Sequence, residues 1–438
     1  MVAVFAEKGY PVVGLDINPA FVEALSAGRA PVEEPGLQAM IDRNRERIRA
    51  TTDYDIVIQD SDVTFIIVPT PSGDDQLFSN QYVIESLERI GKSLRKKPGY
   101  HCVVVTSTVM PGSTGGEIRA TLEAASGRLV GPDLGLCYSP EFIALGSVIR
   151  DMLRPDMILI GESDEYAGGI LEGIYKNSTE SSPQIHRMNF INAELTKIAV
   201  NTFVTTKISY ANMIADMCDH LPGADAGVVN AAVGTDSRIG RKYLNSGIGY
   251  GGPCFPRDNR AFAAFGRMLG ARCDLAEATD RINDYQLIRL QGAVEGAAPL
   301  GATVAILGLS YKPDSGVIEA AQGVMLAKLL SDNGYRVVAF DPLAGGAASV
   351  VLGPAVTIAD SAGIAIKQAD VVVITTPWAV FKEINRDQLE DGGRQRTVID
   401  PWRILSPQAA EGAARHLVMG RALSEHNSTP RTISDAVS

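Results

Sequence analysis

The sequence predicts an α/β protein: two doubly wound domains with parallel sheets, joined by a long central helix and a helical middle section. Three observations predict it. Short apolar runs ending in Asp, Thr or Pro alternate with helical patterns through the first 188 residues, the signature of a parallel sheet with crossover helices. The design returns over 297–422, where Val337-Val338-Ala339-Phe340-Asp341 echoes Val12-Val13-Gly14-Leu15-Asp16. Between them, Leu195, Ile198, Ala199 and Phe203 mark one buried face at helical spacing. Both end domains therefore read as Rossmann-like, with 189–296 as a helical domain and 423–438 as a polar, frayed tail.

In order, residues 2–9 read as the back of a helix ended by Gly9. Pro11–Asp16 is a strand closing on an acid, as in the second strand of a dinucleotide fold, whose acid bonds ribose hydroxyls. The first strand and glycine-rich turn that should precede it are absent, so the first domain reads as N-terminally truncated. Asp62–Pro71 reads as a buried parallel strand and Cys102–Val109 repeats it, with a helix over 81–97 between. Thr70 and Thr108 then stand at strand carboxyl ends, where such sheets bind ligands. Gly135–Phe142 delivers Glu141 to the same edge, although Pro-Glu is also an ordinary helix start. From Asn192 a helix runs to about Cys218 and carries Lys197 and Asn201 on one flank, able to steady a developing oxyanion, or simply solvated. Helices follow at 225–233 and 258–295, then strands at 301–309, 335–340, 370–375 and 397–400.

The stretch Gly247-Ile248-Gly249-Tyr250-Gly251-Gly252-Pro253-Cys254-Phe255-Pro256-Arg257-Asp258 holds the sharpest chemical signal. Its glycines let a ligand lie against backbone. A cysteine opening a helix has its thiolate favoured by the dipole, with Asp258 one turn on. The plain alternative is a structural turn with a small buried thiol. A formal net charge of −11 argues against a general nucleic-acid binder. The five scattered cysteines make no CxxC pair, which suits a reducing, cytoplasmic setting without disulfides or a zinc site. No apolar run approaches a membrane span, and no signal peptide is recognisable.

Taken together, Asp16-Ile17-Asn18, Glu34-Pro35-Gly36-Leu37, Val68-Pro69-Thr70-Pro71, Ser107-Thr108-Val109 and Ser139-Pro140-Glu141-Phe142 resemble the ordered motifs of the UDP-glucose/GDP-mannose dehydrogenases. Lys197-x-x-x-Asn201, Arg238-Ile239-Gly240, Gly249–Asp258 and Leu309-Ser310-Tyr311-Lys312-Pro313-Asp314 continue the series, so the resemblance spans nearly the whole chain. It implies NAD-dependent four-electron oxidation of a nucleotide sugar's C6 alcohol to a carboxylate, with UDP-glucose favoured over UDP-N-acetylhexosamines and GDP-mannose. It implies Cys254 as nucleophile, Lys197 and Asn201 at the oxyanion, Asp258 with Lys197 managing proton and water, and Glu141 and Thr108 in water activation or proton relay. Asp16, Thr70, Thr108 and Arg257 match cofactor-contacting positions, and Asp16 would repel a 2′-phosphate, favouring NAD over NADP. Glu141, Lys197, Asn201, Arg238, Tyr243, Asn245, Gly247, Gly251 and Lys312 match substrate-contacting ones, Arg238 through a neighbouring subunit, which implies a homodimer.

Three departures stand out. The pyrophosphate loop is missing, so either the start lies upstream, the favoured reading, or the chain binds NAD poorly. Leu145 replaces a second glutamate of many relatives, and Glu319-Ala320-Ala321 stands in place of Arg-Glu-Ser, removing a cofactor arginine. Two other readings compete. A two-electron β-hydroxyacid dehydrogenase needs neither Cys254 nor residues 300–400, and a catalytically silent sugar-nucleotide-binding homologue has no use for Cys254, Lys197, Asn201 and Asp258 together.

Overall fold

The computed structural model describes residues 1–390 and 396–422; the expected polar tail at 423–438 lies outside the described residues. Two compact units meet between Val200 and Asn201. In the first, the strands are β1 (Val12–Leu15), β2 (Ile48–Thr51), β3 (Val63–Ile66), β4 (His101–Val105), β5 (Leu134–Tyr138), β6 (Met157–Glu162) and β7 (Gln184–Met188). The second holds β8 (Thr303–Leu307), β9 (Arg336–Phe340), β10 (Val356–Ile358), β11 (Val371–Ile374), β12 (Arg396–Ile399) and β13 (Ala414–Leu417).

The second unit's sheet has the order β10-β9-β8-β11-β12-β13, parallel throughout. β8 and β11 at its centre are buried at every position, which is why they read as unbroken apolar runs. The first unit departs from expectation in three ways. Its strands form two sheets, a β1–β2 pair and a five-stranded β3-β4-β5-β6-β7, so β1 and β3 each have one bonded neighbour. β3 is thus an edge strand with Val63, Thr64 and Phe65 half-buried, where a buried strand was expected. Phe5 of the first helix (Val2–Glu7) packs on Phe65 with ring centroids 5.1 Å apart.

The third departure is that β5 and β6 pair antiparallel, where parallel sheets were expected. A parallel partner requires a long crossover back to the sheet's other end. The β5–β6 connection carries only the short helix Val148–Leu153, and the chain re-enters from the end at which it left.

The helix Phe190–Asp219 runs for 30 residues and crosses from one unit into the other. Glu194, within its first two turns, is fully buried and accepts from the backbone N–H groups of Gly112 (2.6 Å) and Thr114 (2.7 Å), which fixes the helix start against the first sheet's loops. The second unit continues with the helices Ala226–Val233, capped by Asp225, then Phe255–Met268 and Asp274–Glu295.

Candidate active site

Cys254 is the N-cap residue of the helix Phe255–Met268, with Pro256 inside the first turn. Among the five free cysteines it is the exposed one. A helix N-terminus is the kind of setting that favours a thiolate through the dipole, although the Cys254 side chain makes no capping bond to the helix's N–H groups. Its carbonyl accepts the first helical bond, from the Asp258 N–H at 2.8 Å, so Asp258 sits one turn along, as the spacing predicts. Asp258 is 1% exposed. Its Oδ1 accepts from Arg257 Nε (3.1 Å) and Nη2 (2.9 Å), and its Oδ2 from Asn201 Nδ2 (2.6 Å). The guanidinium supplies the counter-charge a buried carboxylate requires. An amide, a carboxylate and a guanidinium thus stand in a row one helical turn from the thiol.

The loop before Cys254 is pressed against a second segment of the same unit. A Cβ on Gly251 would lie 2.2 Å from the Ala320 carbonyl oxygen, and one on Gly252, whose φ is +84°, would lie 2.5 Å from the Tyr311 ring. Only glycine admits this approach. Gly252 N–H donates to Glu319 O at 2.9 Å. Burial, with some help from the nearby Cys254, pushes the Tyr311 hydroxyl up to about 12. The altered Glu319-Ala320-Ala321 segment therefore serves as backbone support for the thiol loop.

The remaining positions expected in the second unit have varied settings. Tyr243 holds φ +63° and is exposed, as is Asn245, while Gly247 is buried. Arg238 projects into solvent and pairs with Asp236 at 2.6 Å. Lys312 lies 6.0 Å from the Tyr311 ring centroid. The sequence reading missed Asn212 and Asn283, which hold this loop, because a buried asparagine has no spacing signature.

In the first unit, Lys197 is buried, donates from Nζ to the Glu141 carbonyl at 2.6 Å and lies 4.5 Å from the Phe142 ring centroid. It and Asn201 stand four residues apart along one helix. Burial pushes the Glu141 carboxyl above its ordinary range, against the opposing pull of the Met1 amino group and Lys197. Its Oε1 is buried without a hydrogen-bond partner. Thr70 Oγ1 donates to the Thr108 carbonyl at 2.7 Å, tying together the two strand-end loops expected to meet a ligand. Glu34 accepts from the N–H groups of Gly146 (2.8 Å) and Val148 (2.7 Å), so this member of the motif series holds the loop containing Leu145.

These residues suit a dinucleotide. Asp16, just past β1, spends Oδ1 on the Asn18 N–H (2.8 Å), and Thr106 Oγ1, past β4, is buried without a partner. Among the described residues no group of three or more His, Cys, Asp or Glu is placed to hold a metal ion, and no helix is long and apolar enough to cross a membrane.

The chain is similar to known proteins along most of its length. Three domains of the UDP-glucose/GDP-mannose dehydrogenase family match in order: the NAD binding domain over residues 1–179, the central domain over 191–285 and the UDP binding domain over 305–407. The first match begins at residue 1 and does not itself register a missing strand or glycine loop. The chain is 37% identical over 408 residues to the UDP-glucose 6-dehydrogenase AglM of Haloferax volcanii, covering 92% of this chain and 94% of that one. It is 33% identical to the UDP-glucose 6-dehydrogenase TuaD of Bacillus subtilis, over 93% and 87% of the two chains. A solved UDP-glucose dehydrogenase from Pyrobaculum islandicum superposes with a TM-score of 0.86 at 34% identity, over 96% of this chain and 94% of that one. The chain belongs to the UDP-glucose/GDP-mannose dehydrogenase family of NAD-binding oxidoreductases.

Proposed function

We propose that this chain oxidises UDP-glucose to UDP-glucuronate, through a thiohemiacetal and a thioester on Cys254. The observation that carries the proposal is the exposed thiol at a helix N-terminus, one turn from a buried Asp258 that is bonded to Asn201. The similarity to UDP-glucose 6-dehydrogenases supports the choice of sugar. The overall change is R–CH2OH + 2 NAD+ + H2O → R–COO− + 2 NADH + 3 H+.

Asp16, Thr70, Thr108 and Arg257 are the proposed holders of NAD, which when bound accepts the hydride leaving C6 at each oxidation. The chain's own residues do the rest. Once C6 is an aldehyde, the Cys254 thiolate adds to it, forming a C–S bond as the carbonyl pair moves to oxygen. Asn201 donates an N–H to that oxyanion while its other N–H stays on Asp258, and Lys197, one turn earlier on the helix, supplies a positive charge. Loss of the second hydride leaves a thioester. Asp258, with Lys197, takes the proton of the attacking water, the C–S bond breaks, and the thiolate returns to the helix N-terminus. Glu141, carrying a carboxyl with raised proton affinity, is the proposed proton relay.

We further propose that Arg238, Tyr243, Asn245, Gly247, Gly251 and Lys312 contact the nucleotide sugar and that the chain acts as a homodimer in the cytoplasm. Phe203, expected on the buried face of the long helix, is instead exposed, as is Leu195. With Tyr210, Met213 and Met217, Phe203 forms an apolar stripe on the second unit's part of that helix, which a second copy would cover. The free thiols suit a reducing compartment.

The test counts NADH formed per UDP-glucose consumed. Two per sugar, lost in Cys254→Ser, is expected. No NADH from UDP-glucose, with turnover of another nucleotide sugar, would overturn the substrate; two NADH per sugar from Cys254→Ser would overturn the covalent route.

A further inference from the structure

The loop Gly247–Gly252 is four-sixths glycine, a composition that leaves backbone disordered unless something outside it fixes the path. Among the described residues, one backbone–backbone bond reaches it, from Gly252 N–H to Glu319 O. Two buried asparagines supply four more bonds. Asn212, on the long helix, accepts from Gly247 N–H at 2.9 Å and donates to Ile248 O at 3.1 Å. Asn283, on the helix Asp274–Glu295, accepts from Tyr250 N–H at 2.7 Å and donates to Tyr250 O at 3.1 Å. Asp280, one turn before Asn283, accepts from the Tyr250 hydroxyl at 2.9 Å.

Each asparagine amide imitates a peptide group, offering one donor and one acceptor to the backbone as a neighbouring strand would. Ile248 and Tyr250 are buried, so water does not substitute for either partner. The second clamp ends four residues before Cys254, with only Gly251, Gly252 and Pro253 between. Gly251 and Gly252 are wedged on Ala320 and Tyr311, and Pro253 has a restricted φ. Little slack separates the clamp from the sulfur.

Building on the proposed thiol chemistry, we propose that Asn212 and Asn283 are positioning residues that seat the Cys254 sulfur at the N-terminus of its helix. Their amides are taken up by the loop backbone. They act by holding the backbone that leads into the N-cap. Without them the loop relaxes, the sulfur drifts from the helix N-terminus, and its thiolate loses the favourable end of the helix dipole.

The experiment compares the parent with Asn212→Ala and Asn283→Ala, and with Asn283→Ser, which retains a hydroxyl and covers the case of an alanine variant that does not fold. Two readouts are taken on protein with parent-like circular dichroism. One is the pH profile of Cys254 alkylation by iodoacetamide, located by peptide mass spectrometry without any substrate. The other is NADH formed per UDP-glucose, with released aldehyde trapped by hydroxylamine. The expected result is an alkylation midpoint about half a pH unit or more higher in each variant, and a stoichiometry falling from two towards one with aldehyde appearing, since the first oxidation needs no thiol. A purely structural role would lower the active fraction and leave both the midpoint and the ratio unchanged, and that result overturns the inference. A parent that makes no NADH overturns the dehydrogenase reading instead, and the alkylation midpoint alone then decides the clamp.

Discussion

Replacing Asp258 with asparagine keeps the shape of a fully enclosed side chain and removes its charge. The native carboxylate takes two N–H bonds from Arg257 on Oδ1 and one from Asn201 on Oδ2. Whichever way the new amide turns, its own N–H meets a donor, either the guanidinium or the Asn201 amide. Bonds to a charged group contribute about 1.5–3 kcal/mol each, but a quarter of the Arg257 side chain is exposed, and water makes good part of what it loses. In the orientation that keeps the guanidinium bonds, the enclosed bond to Asn201 goes instead, unless that amide turns its own oxygen inward. The net cost comes to about 2–3 kcal/mol, a drop of roughly 4–12 °C in the second unit's melting temperature. Turnover should fall further, by about 10²- to 10⁴-fold, as the proposed proton acceptor and the anchor of Asn201 go together. Thermal unfolding and initial NADH formation with UDP-glucose measure the two effects. A variant melting within about 2 °C of the parent and turning over within about threefold would refute the account of Asp258 as a buried, working carboxylate.

Three other outcomes follow from the geometry. Gly252→Ala combines a Cβ 2.5 Å from the Tyr311 ring with a φ of +84°, so it should cost about 2–4 kcal/mol in urea unfolding; a neutral result would mean the two segments are not in contact. Burial, then repulsion from Lys97, lowers the His101 imidazole to about 3. Its folded affinity for protons is depressed, so its contribution is full above about pH 6.5 and is lost as pH falls from there towards 3; its ring resonances should not titrate between pH 8 and about 4.5. For Asp341, burial pushes the carboxyl up, but the N–H groups of Ala344, Ser310, Leu309 and Leu343 together outweigh it and hold the group below its ordinary value. Its stabilisation is present above the unfolded carboxylate range near pH 4 and lost below it, so Asp341→Asn should flatten the acid side of the stability curve; an unchanged slope would contradict those bonds.

Much of the architecture was legible because the central strands are buried on both faces and read as apolar runs, as in Val103-Val104-Val105 and Val371-Val372-Val373. The reading passed over β2, β7, β10 and β13, and each is the edge of its sheet. An edge strand keeps one flank in water, so Gln184-Ile185-His186-Arg187-Met188 carries no continuous apolar signal. The apolar run of β6 was readable but ends in no motif that drew notice. The split first sheet and the antiparallel β6 are matters of pairing, which periodicity does not encode. At the site, the thiol and its helix followed from Pro, Cys and Asp at fixed offsets. Asn201 meeting Asp258 did not, since 57 residues separate them. The echo between Asp16 and Asp341 is one of sequence and not of bonding. Asp16 spends Oδ1 on the Asn18 N–H and makes no other side-chain hydrogen bond among the described residues, whereas Asp341 is filled by the backbone of Leu309, Ser310, Leu343 and Ala344, the Ser310 hydroxyl and the Trp378 indole.

Gly251 meets the Ala320 carbonyl and Gly252 the Tyr311 ring, so the thiol loop puts no side chain of its own between itself and the segment that carries Lys312. Two stretches so joined exchange mechanical information without a lever. Ordering one removes freedom from the other, and such coupling is reciprocal. A ligand that steadies Lys312 should also slow the wandering of the sulfur, and a group fixed covalently to Cys254 should alter that ligand's affinity by the same factor. If Lys312 contacts the nucleotide as proposed, sensing of its arrival would be written into glycine backbone, at positions that tolerate no side chain.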